Sequence, residues 1–175
     1  MSQSFLSSER IYLRAVEPED LSVMYDIEND PEMWDISNFV NPYSRYMLKQ
    51  YIEASQSDVF ADKQLRLMIV GRTDNEVIGT IDLSDFVPLH SRAEVGIAIR
   101  KEYRSRGLAG EALSLLCDYS FRFLRLHQLY ARVAVSNEHC ISLFRSAGFE
   151  QTGLLKDWLI DEKGCSDVLL FQLIH

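Results

Sequence analysis

The run Arg104-Ser105-Arg106-Gly107-Leu108-Ala109-Gly110 restricts this chain most, because it separates a strand-like segment from a long amphipathic helix. Free N–H groups at a helix start carry about half a positive charge and favour acidic neighbours. Here Arg100, Lys101, Arg104 and Arg106 crowd that position against a lone Glu102, an unfavourable concentration unless an anion sits there. Gly107, Ala109 and Gly110 have little or no side chain to hold a ligand off, so exposed amides could close on phosphate oxygens while arginines neutralise them. The alternative is a solvated basic turn without a ligand.

Periodicity places this turn in a βα-rich chain. Glu9 to Val16 alternates as a strand, and Pro18-Glu19-Asp20 opens a helix through Leu21, Met24, Tyr25 and Ile27. A second helix is expected from Ser44 to about Ser57, after an aperiodic loop from Met33 to Pro42. Leu65–Val70 and Val77–Phe86 read as an antiparallel hairpin, followed by a strand from Arg92 to Ile99. In that strand Val95, Ile97 and Ile99 share one face, and Glu94, Gly96 and Ala98 the other. Leu108, Ala112, Leu115, Leu116, Tyr119 and Phe123 then recur at helical spacing. A strand from Gln128 to Val135, a helix from Asn137 to Ala147 stopped by Gly148, and a closing hairpin of Trp158–Ile160 with Val168–Ile174 complete the pattern. The order predicts an α/β domain on a mixed sheet.

At 175 residues and 47% hydrophobic, one domain over residues 1–175 is expected. A net charge of −8 argues against nucleic acid as a general partner and suits a cationic or neutral substrate. The first residues lack a basic stretch followed by an apolar one, and no segment approaches the roughly 20 apolar residues that span a bilayer, so a cytoplasmic protein with no membrane partner is expected. Cys117, Cys140 and Cys165 are odd in number and widely spaced, which fits reduced packing residues better than a disulfide frame. His127 and His139 have no metal-like spacing, so no metal is assigned.

Ile97-Ala98-Ile99 followed by Arg104-Ser105-Arg106-Gly107-Leu108-Ala109 resembles the strand and Arg/Gln-x-x-Gly-x-Gly/Ala turn of the GNAT superfamily of acetyl-CoA-dependent N-acetyltransferases. The segment from Asn137 through Phe144 to Gly148-Phe149 is similar to that family's Asn-x-x-Ala-x-x-Leu-Tyr-x-x-x-Gly-Phe stretch. Leu6 to Asp20 and Arg92-Ala93-Glu94-Val95-Gly96-Ile97 resemble the branch of ribosomal-protein N-terminal and spermidine/spermine N-acetyltransferases. Ser91 to Glu94 and Cys117 to Tyr130 tilt the resemblance to the polyamine side.

The resemblance implies a single-domain GNAT fold, with splayed central strands and flanking helices, that moves an acetyl group from acetyl-CoA to a primary amine. The acceptor would be a polyamine such as spermidine or a protein N-terminus. Coenzyme contacts would fall on Arg104, Ser105, Arg106, Gly107, Leu108, Ala109 and Gly110, on the backbones of Ile97, Ala98 and Ile99, and on Asn137 and Phe144. For Asn137 a purely structural cap is equally open. Glu94 is the candidate base, unless it pairs structurally with Arg92 or another basic group. Phe144 departs from the family tyrosine that protonates the leaving thiolate. Cys140, one turn earlier, is disfavoured as a substitute because a helix N-terminus tends to lower a thiol's pKa, and Tyr119 and Tyr130 read as core or wall residues. For the acceptor pocket, Glu28, Asp30, Glu32 and Asp35 could meet ammonium groups, with Trp34, Phe39 and Tyr43 along the methylene chain. Solvated loop residues are the alternative.

Competing readings are a non-catalytic acyl-CoA sensor, supported by Phe144, and an aminoglycoside-type N-acetyltransferase. A nucleotide P-loop is disfavoured because Glu111 and Ala112, not Lys-Ser/Thr, follow Gly110. The branch often assembles through its C-terminal strands, so a homo-oligomer is a further expectation.

Overall fold

The computed structural model describes residues 5–34, 41–55 and 58–175, with the side chains of 33, 34 and 161 left out. Alternation of apolar and polar residues builds one seven-stranded sheet in the order β1-β2-β3-β4-β5-β7-β6. Its strands are β1 (Ile11–Ala15), β2 (Leu65–Gly71), β3 (Val77–Val87), β4 (Arg92–Ile99), β5 (Gln128–Ala134), β6 (Glu150–Asp161) and β7 (Gly164–Ile174). Every neighbouring pair is antiparallel except β4 with β5. The expected mixed sheet is therefore present.

Helices cover both faces. On one, α5 (Leu108–Asp118) and α6 (Glu138–Ser146) pack Leu108, Ala112, Leu113, Leu116 and Phe144 against Ile81, Val95, Leu129 and Phe171. On the other, α1 (Leu21–Glu28) and α3 (Arg45–Ala54) cover Met68, Val70 and Val77 with Met24, Leu48 and Ile52. Strand β2 is thus buried on both sides, which explains its nearly unbroken apolar run. Since α1 and α3 cover only the β1–β3 end, Glu94, Gly96 and Ala98 lie on a more open part of their face.

Several boundaries differ from the sequence pattern for physical reasons. Ser44 caps α3 by accepting from the Met47 amide at 3.1 Å, and the helix ends at Ala54. Short helices α2 (Pro31–Trp34) and α4 (Val59–Asp62) interrupt stretches without a clear period. The helix from α5 continues as a π turn over Tyr119–Phe123. That wider turn rotates the following residues, so Ser120 is fully buried whereas Phe123, expected inside, is 60% exposed. The closing hairpin is much longer than expected, because bulges between Gln151/Gly153 and Leu155/Leu159 disrupt the alternation of β6. All three cysteines are free; Cys165 is exposed and does not pack, contrary to expectation. No helix among the described residues is long and apolar enough to cross a membrane.

Gly79 marks the closest approach between strands. A Cβ there would sit 2.0 Å from the Ala98 carbonyl oxygen, a backbone atom that cannot step aside. Gly79→Ala is expected to destabilise the fold by about 1–3 kcal/mol, the usual range for forced overpacking, as a lowered urea midpoint at unchanged slope. An unchanged midpoint would show that β3 and β4 can separate freely there.

Candidate functional site

The basic turn adopts a conformation suited to exposing amides. After a short turn at Lys101–Tyr103, Ser105 and Gly107 take φ values of 62° and 76°. Gly107 is the N-cap of α5 and supplies no side-chain cap, so the first amides of that helix have no partner from this position. Leu108 turns its side chain into the core, leaving only its amide to serve a ligand. Gly110 faces α6, where an added Cβ would meet Leu143 at 3.9 Å.

Glu102 is not the only acid at this turn. Glu32 of α2 accepts from Lys101 Nζ at 2.8 Å and from Arg104 Nη1 at 2.9 Å, and both interactions hold its carboxyl below the usual range. Arg104 Nε also donates to the Ile99 carbonyl at 3.0 Å. Arg100 pairs with Glu102 at 2.7 Å, while Arg106 donates to the Glu102 carbonyl at 2.7 Å. Glu111, in the first turn of α5, is held by Ser8 and by Arg10 Nε at 2.7 Å. A cavity of about 180 Å³ separates the turn from α1, with Asp26 and Asp30 on one side and Arg100, Lys101 and Arg104 on the other.

The strand before the turn parts from its neighbour. Strands β4 and β5 pair only at Arg92↔Gln128, Ala93↔Leu129 and Glu94↔Tyr130. From Val95 to Ile99, β4 is paired on its β3 side, and Ala131 to Ala134 of β5 are paired with β7. The facing edges therefore carry peptide groups that no strand satisfies, and the gap opens towards the N-terminus of α5. Ile97, Ala98 and Ile99 lie along it, as expected. Helix α6 follows β5, and Asn137 caps it by accepting from the Cys140 amide at 3.1 Å.

On α6, Phe144 is 3% exposed, with Phe149 at 5.0 Å and Phe171 at 6.2 Å between ring centroids. Its apolar ring is stabilised by core packing. The Cys140 thiol is not lowered by the helix start, since burial pushes it up against the opposing hydrogen bond from Asn137.

Charged side chains on the open face occur in defined sets. Arg66 of β2 forms a two-point pair with Asp82 of β3, at 2.8 and 2.9 Å, and also meets Glu28 of α1. Burial opposes the charge on Arg66, but the two carboxylates outweigh it and raise its pKa. Glu94 receives Arg132 Nε and Nη2 on its two oxygens, both at 2.7 Å. Tyr130 donates to Asp85 at 2.5 Å, and burial together with that bond raises the phenol's pKa. Arg66, Asp82, Asp85 and Arg132 were not singled out in the sequence; only Arg132, two residues after Tyr130 on β5, carried a local signal.

Asp30 accepts from the Glu32 amide at 3.0 Å, and Asn29 braces the Tyr43 backbone through bonds of 2.8 and 3.1 Å. Asp35 and Phe39 lie outside the described residues, as does the side chain of Trp34. Among the described residues no His, Cys, Asp and Glu group could hold a metal ion.

Comparison with known proteins agrees with this geometry. The chain is 31% identical to the uncharacterized N-acetyltransferase p20 of Bacillus licheniformis over 170 residues, covering 97% of this chain and 95% of the relative. It is 33% identical to the spermidine N(1)-acetyltransferase of Escherichia coli K12 over 153 residues, 85% of this chain and 77% of that protein. The crystal structure of Vibrio cholerae spermidine N-acetyltransferase with CoA and spermine superposes with a TM-score of 0.83 at 26% identity, covering 94% and 95% of the two chains. The Acetyltransferase (GNAT) domain profile matches residues 10–150, and the chain belongs to that family.

Proposed function

We propose that this protein transfers the acetyl group of acetyl-CoA to a primary amine, with a polyamine such as spermidine as acceptor. The gap between β4 and β5 carries this reading, because its unpaired peptide edges lead to an uncapped helix start flanked by Arg104 and Arg106. The amides of Leu108, Ala109 and Gly110 would receive the coenzyme's diphosphate, with Ser105, Gly107 and the two arginines shaping the turn. The peptide groups of Ile97 and Ile99 would pair with the pantetheine arm and polarise the thioester carbonyl, whereas the Ala98 carbonyl, expected there too, faces Gly79 of β3. Asn137 and the α6 start would flank the arm. Three cysteines without disulfide partners fit a reducing compartment, and a cytoplasmic location is part of the proposal.

The acceptor face supports a cationic substrate. Asp82, Asp85 and Glu94 bring carboxylates to β3 and β4 near the gap, Glu28 of α1 adds one over β2, and the named polyamine enzymes among the relatives favour the same class. An alkylammonium with a pKa of about 10.4 is almost wholly protonated at neutral pH, so its proton must leave before the nitrogen attacks. Glu94 would accept it, directly or through water. The C–N bond then forms, the C–S bond breaks, and coenzyme A departs as a thiolate that takes up the second proton lost by the nitrogen, directly or through water, leaving a neutral amide and the free thiol. A thiol of pKa about 8.5 is a tolerable leaving group, which allows turnover without a phenol at position 144.

A free-thiol assay with acetyl-CoA against spermidine, spermine, an N-terminal peptide and an aminoglycoside decides the class of acceptor. Fastest release with spermidine or spermine is expected. Preference for the peptide or aminoglycoside would overturn the acceptor, and coenzyme binding without release across the panel would favour a sensor. Phe144→Tyr is expected to raise kcat by up to about 10²-fold, within the usual range for a positioned general acid. A neutral or harmful effect would show that thiolate protonation does not limit turnover.

A further inference from the structure

We infer that Arg132 is a positioning residue for the reaction, clasping Glu94 across the vertex of the β4–β5 gap so that its carboxylate is held in one plane and faces the acceptor. The inference rests on the proposed role of Glu94 as proton acceptor. Backbone pairing between the two strands stops at Glu94↔Tyr130. Arg132 lies two residues further along β5, on the same face as Tyr130, and its planar fork reaches back to both Glu94 oxygens at 2.7 Å. A side-chain bridge thus joins the strands where their peptide groups cease to.

The sheet itself has little need of this pair. Strand β4 is held by β3 and β5 by β7, while an ion pair whose guanidinium is 34% exposed adds little stability. Glu94 is only 13% exposed, so without Arg132 its charge would lose its nearest compensation. The other charged groups on this face have separate partners. Asp85 of β3 accepts from Tyr130 of β5 and lies 4.0 Å from Arg92 of β4; Asp82 of β3 pairs with Arg66 of β2, which also meets Glu28 of α1.

A carboxylate offers about four acceptor positions on its two oxygens. Arg132 takes one on each, which fixes the plane of the group and leaves the second on each for an ammonium or a bridging water. Next on the same face of β4 come Gly96 and Ala98, which leave room for such a group. Lysine in place of arginine would keep the charge but lose the two-point grip. Charge and orientation are therefore separable by mutation.

The test is the split between kcat and the spermidine KM, with acetyl-CoA as donor, for wild type, Arg132→Met, Arg132→Lys and Glu94→Gln, with coenzyme binding by calorimetry as the control for folding. Arg132→Met should lower kcat about tenfold through lost orientation, while the spermidine KM and the coenzyme affinity stay within about twofold of wild type. Arg132→Lys should lower kcat several-fold for the same reason. Glu94→Gln should abolish most of the turnover. If Glu94→Gln behaves this way but Arg132→Met keeps the wild-type kcat, the positioning role is overturned and the proton-acceptor role stands. If Glu94→Gln matches wild type, the proton-acceptor role fails and the inference fails with it. Should Arg132→Met not fold, Arg132→Lys decides alone, since a wild-type kcat there removes the role of orientation.

Discussion

Two adjacent strands that stop pairing in mid-sheet leave donors and acceptors facing each other across empty space, and such groups need partners. The arrangement persists because each strand is fixed from outside: β3 pairs with β4 to its end, and β7 pairs with β5 along its length. The opening is therefore part of the native architecture. It suits a slender ligand with its own amide groups, bound edge-on like a missing strand segment. One end is narrow and crossed by the Glu94–Arg132 bridge; the other meets the amides and arginines before α5.

Local chemistry in this protein was legible without coordinates. The turn from Arg104 to Gly110, the shared face of Glu94, Gly96 and Ala98, the Asn137 cap and the left-handed Gly148 all follow from short-range rules, and the structure contains each of these features. Partnerships across the sheet were not legible. Arg132 and Glu94 are 38 residues apart, and Glu32 stands 69 and 72 residues from the Lys101 and Arg104 it joins. Such pairs depend on strand register and helix placement, which no local spacing encodes. Phe123 was misplaced for a related reason: a single π turn over Tyr119–Phe123 rotates the side chains it carries.

Charge on the open face is organised by how deeply each group lies. Arg66 is shared between two carboxylates, Glu28 and Asp82, in a confined region under α1. Asp85 is half-exposed and shared between Tyr130 and Arg92. Bare carboxylates in such surroundings would be destabilising, so the face presents acids already stabilised by partial neighbours.

Gly79 gives the fold a different kind of control. Since it has no side chain, the backbone of β3 can press against the last peptide units of β4 from the rear. A larger residue at position 79 would press on the edge of β4 that faces away from β5, so strain introduced there would bear on the back wall of the groove without altering any surface a ligand meets.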